Sequence, residues 1–446
     1  MANKLSPLID PPHDGFPGLD GVRWLAAWAV VFSHSYPIAA GGNAMDPLAA
    51  FLGEGNSFGN YAVRIFFILS GFLLSRSLDH PKSDPLRFLV HRLLRILPGF
   101  CFAVIVTVLL LGPWLSGLSV PDLLFSKNTW LSIYWSIVGL GDASSLPPNA
   151  SRFPELAGFI NGSLWSIPYE LVCYLFLLAL QMLLRNSGKV AVAAGVIGVV
   201  SLLAPSWGWS MEQGSFPAAG FPLPFIMLDK TLPYFCGGVA FYPIHKKWPL
   251  SGTILALAMT LLLGAACFDL QVAAFAFCGP ALTVWIGRWA WLAWPMRKSG
   301  DVSYGIYLFG WPVSLVAALK APAAGPVLVF LVSVLPVFLF AWLMRRWVEN
   351  PVNDRLKPAL MRLVPRFAHP SLPGVTPWGL QLWAHRMVYW GFFLSLTRFL
   401  VYPWPGSANW FGDQIYQLSG LGIFTGLVLT AAQSPRFAPK PASRVP

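Results

Sequence analysis

Residues 325–347 read GPVLVFLVSVLPVFLFAWLMRRW. From Gly325 to Met344 the stretch carries no charge, and it closes on Arg345 and Arg346. About 20 residues of α-helix rise ~30 Å, the thickness of a bilayer's hydrocarbon core. A run this long and this apolar on every side is a membrane span rather than one face of a soluble core. The arginine pair is the usual mark of a span's cytoplasmic end.

Similar runs recur toward the N-terminus, near 18–40, 57–78, 90–114, 164–185, 189–206, 224–243, 251–268, 270–290 and 303–320. Two weaker ones follow, near 387–404 and 413–432. The expected fold is therefore all-α, a polytopic transmembrane helical bundle of about 10 core helices plus up to 2 C-terminal helices. Composition agrees: 56% of the 446 residues are hydrophobic and 11% are charged, against about 25% charged in soluble domains. Residues 1–17 read as a cytoplasmic N-terminal segment, 18–360 as the membrane domain and 361–446 as a C-terminal extension. Proline and glycine inside the runs, such as Gly71, Pro98, Pro312 and Pro336, are tolerated in membrane helices.

The basic residues fix the expected topology. Every second connection is basic: Arg76 to Arg95, then Arg185 and Lys189, Lys246 and Lys247, Arg288 to Lys298, and Arg345 to Arg366. The alternate connections hold only Lys127, Arg152 and Lys320. The positive-inside rule places residues 76–95 and both termini in the cytoplasm, in a plasma membrane that would be the inner membrane of a bacterium. The net charge of +12 is thus a topology signal and does not call for nucleic acid. Residues 1–17 lack a basic n-region leading into a short apolar run, so no cleaved signal peptide is expected. Five cysteines (Cys101, Cys173, Cys236, Cys267, Cys278) form no CxxC pair, so neither a disulfide framework nor a metal site is expected. The long connection 115–163, rich in Trp, Ser, Asn and Pro, would either cover the outer face of a site or lie in the interface.

Ionisable groups inside spans are costly and mark function by default. They are Asp20, Arg23, His34, Arg64, Glu170, Asp229, Lys230 and Arg398. Arg23 and His34 are eleven residues apart, which turns a helix by about 1,100°, 20° past three circles, and advances it ~16.5 Å. Both therefore share a face, with Arg23 at the cytoplasmic mouth and His34 beyond the membrane centre. A structural core histidine is the alternative reading of His34. Arg92 and Arg95 open the third span, and their forks suit phosphate oxygens; an ordinary positive-inside cluster is the alternative. Glu170, in the first turns of the fourth span on the outer side, would orient His34 or pair with an arginine. Asp229 and Lys230 read as a self-compensating pair, and Arg398 as a snorkelling side chain.

At these residues the chain resembles the acyltransferase family 3 membrane proteins, which acylate sugars of surface and exported glycans. Gly18 to Ala27, continuing to His34, is similar to that family's arginine, ten residues, histidine signature. Phe66-Phe67-Ile68-Leu69-Ser70-Gly71-Phe72 resembles its FFxxSGF block, and Arg92-Leu93-Leu94-Arg95 its arginine-rich start of span three. Ser163-Leu164-Trp165 through Glu170, Ser303-Tyr304-Gly305-Ile306-Tyr307-Leu308, and Val348-Glu349-Asn350-Pro351 match three further blocks. The resemblance covers about residues 15–360. Arg64 and Gly310 depart from it, the latter where many members have a histidine.

The resemblance implies a membrane O-acyltransferase that moves an acyl group, taken as acetyl, from cytosolic acyl-CoA to a hydroxyl of an extracytoplasmic or lipid-linked glycan. Such O-acetylation modifies surface polysaccharide. The expected partners are the lipid bilayer, the acyl-CoA co-substrate and the glycan or lipid-linked sugar. No permanently bound cofactor is expected. His34 would be the general base, and Arg23, Arg92 and Arg95 would hold the donor. Glu170 would join His34 as a catalytic residue, steadying it or the oxyanion, and Asp20, Ser70 and Tyr304 would support them. The rival readings are a transporter or flippase for a lipid-linked glycan, and an acyl-group sensor without turnover.

Overall fold

The computed structural model describes residues 16–80, 83–138, 160–203, 230–248 and 250–363. Two compact units appear by chain contact: Met1–Ser83 with Phe88–Leu356, and Asp84–Arg87 with Lys357–Pro446. The described residues contain helices and no strands. Ten of the helices have 15 residues or more. They are α1 (Leu19–Ala40), α2 (Phe58–Leu78), α3 (Pro85–Val106), α4 (Ser166–Leu184) and α5 (Ser187–Leu203), then α6 (Leu232–Lys247), α7 (Gly252–Ala266), α8 (Gln271–Ile286), α9 (Ser303–Lys320) and α10 (Pro326–Met344). In the second unit the described residues include a short helix, Lys357–Leu363, where the carbonyl of Met361 accepts from Arg87 at 3.0 Å.

Among the described residues, four helical runs are long and apolar enough to cross a membrane: Phe58–Leu78, Pro85–Ser116, Ser166–Leu184 and Pro326–Arg362. Exposed Leu331, Leu335 and Leu339 repeat every four residues along α10. In water such a stripe would be a sticky patch; against lipid it is the natural surface. An open apolar groove of about 350 Å³ between α1 and α10, lined by Trp24, Trp28, Phe330, Val334, Leu335 and Phe338, belongs to the same outer face.

The bundle is built around α2. One side of α2 packs on α1, and α1 in turn packs on α9 and α10. The other side packs on α6 and α8, with α5 against α6 and α7 against α8. Without a hydrophobic force between helices in lipid, close approach depends on small residues. A Cβ on Gly71 would run into the carbonyl of Phe235, and one on Gly238 into the carbonyl of Ile68. The α2–α6 crossing is thus glycine against backbone from both sides. Gly310 on α9 lies directly against Val31 of α1. A Cβ there would fall 2.4 Å from a Val31 methyl, so a larger residue at this position requires the Val31 side chain to give way.

Hydropathy placed several boundaries differently. The sixth run begins at Leu232, where Thr231 is the N-cap and Pro233 sits in the first turn, eight residues after the expected start; residues 204–229 lie outside the described set. Lys230 is accordingly an exposed turn residue and not part of a span, while Asp229, Arg398 and the candidates 387–404 and 413–432 lie outside the described residues. The third run starts at Pro85 and continues through a π-helical turn, Thr107–Leu111, to Ser116. The tenth passes 347 through a π turn at Arg345–Glu349. The connection expected over 115–163 is not simply irregular: it contains Val120–Phe125 and the twelve-residue helix Lys127–Val138.

Candidate active site

Capping and burial set the stage around α1. Its start is held by Gly18 N–H donating to Gly287 O at 2.8 Å. Its far end is tied by Asp46, whose carboxylate is buried. Asp46 accepts from Ser33 Oγ at 2.6 Å, Phe58 N at 2.9 Å, Ala49 N at 3.0 Å and Leu48 N at 3.1 Å. Four donors satisfy this carboxylate fully, so it anchors the turn between α1 and α2 beside His34.

A cavity of about 90 Å³ opens between α1, α2, α3, α4 and α9. Its charged and polar lining is Arg23, Arg92, Arg95, Glu170, Ser70 and Ser166, with Tyr174, Ser303, Tyr304 and Tyr307. Six of the eight residues singled out from the sequence therefore line one space. Asp20 lies just outside, accepting from Arg23 Nη1 at 3.3 Å. His34 is not in the lining.

The arginines come from two helix starts. Arg23 is in the first turns of α1; Arg92 and Arg95 are two to three turns into α3. Arg92 lies over the ring of Phe88 at 5.6 Å. The carboxylate of Asp301 faces both Arg95 (3.4 Å) and Arg23 (4.0 Å). Tyr304 stands on Gly99 and donates its hydroxyl to the Ile96 carbonyl at 3.0 Å. That hydrogen is committed, which leaves the oxygen's lone pairs as its free function.

Glu170 departs most from expectation. It lines the arginine-rich cavity rather than the outer side, and it accepts a hydrogen bond from Tyr174 Oη, not from His34. The reason lies in the residues ahead of α4. Asn161, Ser163 and Leu164 are fully buried, and Asn161 Nδ2 donates to the Leu308 carbonyl at 2.9 Å. Ser166 and Tyr307 share a 2.6 Å hydrogen bond. The chain thus enters the core as a non-helical turn before α4 begins, the kind of backbone tolerated at depth only when protein surrounds it.

The same turn leads to His34. Gly162 packs under the indole of Trp311, and the His34 ring meets Trp311 edge-on at 4.8 Å and 78°. Trp311 lies one helical turn beyond Tyr307, the cavity residue, on α9. His34 therefore sits one turn of α9 past the cavity's end. Its Nδ1 is buried with no hydrogen-bond partner among the described residues.

Asp301, Ser166, Tyr307 and Trp311 had no role in the sequence reading. Ser166, Tyr307 and Trp311 lie within or beside the quoted blocks, but their contacts join residues 141 apart (Ser166 with Tyr307) or on separate helices. Arg64, flagged as an oddity, is buried on the far flank of α2. It donates to Gly55 O at 2.8 Å and lies over Tyr61 at 4.8 Å and Tyr234 at 5.2 Å.

A family model described as an acyltransferase domain matches residues 16–346. The chain is similar to a protein of Shigella phage Sf6 named O-acetyl transferase, 27% identical over 354 residues, 76% of this chain and 97% of the relative. It is also similar to a Komagataeibacter xylinus protein named membrane-bound transacylase BcsY, 24% identical over 318 residues, 67% of this chain and 73% of the relative. No solved structure matches the chain.

Proposed function

The chain belongs to the acyltransferase family whose model spans residues 16–346, and from that premise we propose which donor, acceptor and residues it uses. It is an integral membrane acyltransferase. We infer that it takes an acetyl group from cytosolic acetyl-CoA and passes it to a sugar hydroxyl of an extracytoplasmic or lipid-linked glycan, with both termini in the cytoplasm.

The convergence of Arg23, Arg92 and Arg95 on one cavity carries this reading. Coenzyme A is a polyanion whose thioester lies at the end of a long arm, far from its phosphates. Guanidinium forks at the basic end of the bundle suit the phosphates. The arm then leads along α1 toward His34, ~16.5 Å from Arg23 by helix rise. The name of the phage relative, O-acetyl transferase, supports acetyl as the group moved.

In the transfer step, neutral His34 accepts the proton of the acceptor hydroxyl as its oxygen attacks the thioester carbonyl. The tetrahedral oxyanion collapses, the C–S bond breaks, and the departing thiolate takes the proton from the imidazolium. The ester stays on the acceptor and free coenzyme A remains on the cytosolic side. Glu170 and Tyr174, hydrogen-bonded to each other beside the arginines, hold the polar cavity wall in place.

Purified protein, supplied with acetyl-CoA and membrane-derived glycan acceptor, is expected to release free thiol in proportion to ester formed. Movement of a lipid-linked glycan with no thiol release would overturn the reading in favour of transport.

A further inference from the structure

Asp301 has two oxygens with different duties. Oδ1 accepts from Ser303 N at 3.0 Å and Ser303 Oγ at 2.6 Å, which ties down the start of α9. Oδ2 faces the cavity arginines, Arg95 Nη2 at 3.4 Å and Arg23 Nη1 at 4.0 Å. The side chain is mostly buried, at 17% exposure, whereas Arg95 is 45% exposed. Arg345 donates to the backbone carbonyl of the same residue, so its main chain is clamped from the other side. The two hydrogen bonds from Ser303 do not require a charge, because a neutral amide oxygen accepts them as well. The charge on Oδ2 therefore answers to the arginines.

We propose that Asp301 is a fixed counter-ion that the donor's phosphates displace from Arg23 and Arg95, and that it thereby sets how tightly the donor is held and how readily spent coenzyme A leaves. The inference rests on reading these arginines as the donor site. Donor and spent carrier bear the same phosphates, so phosphate binding holds both alike and does nothing to favour release. A carboxylate that competes for the same guanidinium groups weakens both states and takes the arginines back into its own ion pairs after each cycle. The clamped backbone and the hydrogen bonds from Ser303 keep it in position to do so.

The test is coenzyme A binding to the purified full chain, wild type against Asp301→Asn. The amide keeps a carbonyl oxygen for Ser303 and removes the charge. Its Kd for coenzyme A is expected to fall about three- to tenfold at low ionic strength, with the gap narrowing in high salt. Asp79→Asn makes the same charge change beside Lys246, 2.8 Å away and outside the cavity, and is expected to leave Kd unchanged. Monodispersity and thermal stability check that each variant is folded, and Asp301→Ser, which also keeps a side-chain oxygen, stands in if the amide variant is not. Unchanged or weaker binding in a folded variant overturns the proposal. A wild type that binds no coenzyme A at all overturns the donor reading instead.

Discussion

At the scale of single residues, the three arginines separate into two kinds of contribution. Arg92 and Arg95 enter the cavity from α3, on a different helix from His34. Their alanine variants are expected to weaken coenzyme A binding, with the larger loss at low salt where screening is weak. Arg23 shares a helix face with His34, so Arg23→Ala is expected to raise KM more than it lowers kcat, and its defect should shrink at saturating acetyl-CoA. Equilibrium binding and steady-state kinetics on the same preparations check both. An Arg23 variant with normal KM and low kcat would move that residue from donor binding to the chemical step. These residues were legible in the sequence because charge inside an apolar run is conspicuous. Asp301 was not: it stands two residues before Ser303 and reads locally as a helix cap, and its partner Arg95 is 206 residues away.

Among the elements, most helices could be read from hydropathy because a span has to be apolar on every side. The misplaced boundaries fall where a local signal competes with hydropathy. At α6 the N-cap Thr231 and Pro233 in the first turn mark the start, a pattern that an averaging window overlooks. The buried turn at 160–165 was illegible for a different reason. Its Asn, Gly and Ser residues look like a surface loop, and only the contacts to Leu308 and Tyr307 show that it fills the core. One element-level tie is open to a pH test. Asp79, just past the end of α2, accepts from Lys246 at 2.8 Å and Tyr242 at 3.0 Å on α6. Burial alone would raise its carboxyl, but hydrogen bonds from Lys246, Tyr242 and Ser187, with the charge of Lys246, hold it below its ordinary value of 3.8. A depressed carboxylate stabilises the folded state above its ordinary pKa and loses that contribution as pH falls through the folded one. Asp79→Asn is therefore expected to lower Tm at neutral pH by a small amount. The difference from wild type should close as pH drops below about 3.8. A gap that persists there would show that the tie works through shape rather than charge.

For the molecule as a whole, the account needs a donor site on one side of the membrane and an acceptor on the other. The alternating basic connections give the expected direction. A cysteine introduced near Asn149 is expected to react with an impermeant thiol reagent from outside, and one near Ser83 is not; the reverse pattern would put the arginine cavity on the wrong side for a cytosolic donor. The proposed donor route starts at the cavity lined by Arg23, Arg95, Glu170 and Tyr307 and ends at His34, packed on Trp311 one turn further along α9. Its last member decides whether the path performs chemistry. A positioned general base contributes about 10²- to 10⁴-fold in rate, or roughly 3–5 kcal/mol of barrier. The most direct measurement is turnover of acetyl-CoA by purified His34→Ala, alongside its coenzyme A affinity. The account predicts a loss of about 10²- to 10⁴-fold in kcat with donor affinity unchanged. Near-normal turnover in a folded His34→Ala protein would contradict it, and would make His34 a core histidine packed on Trp311.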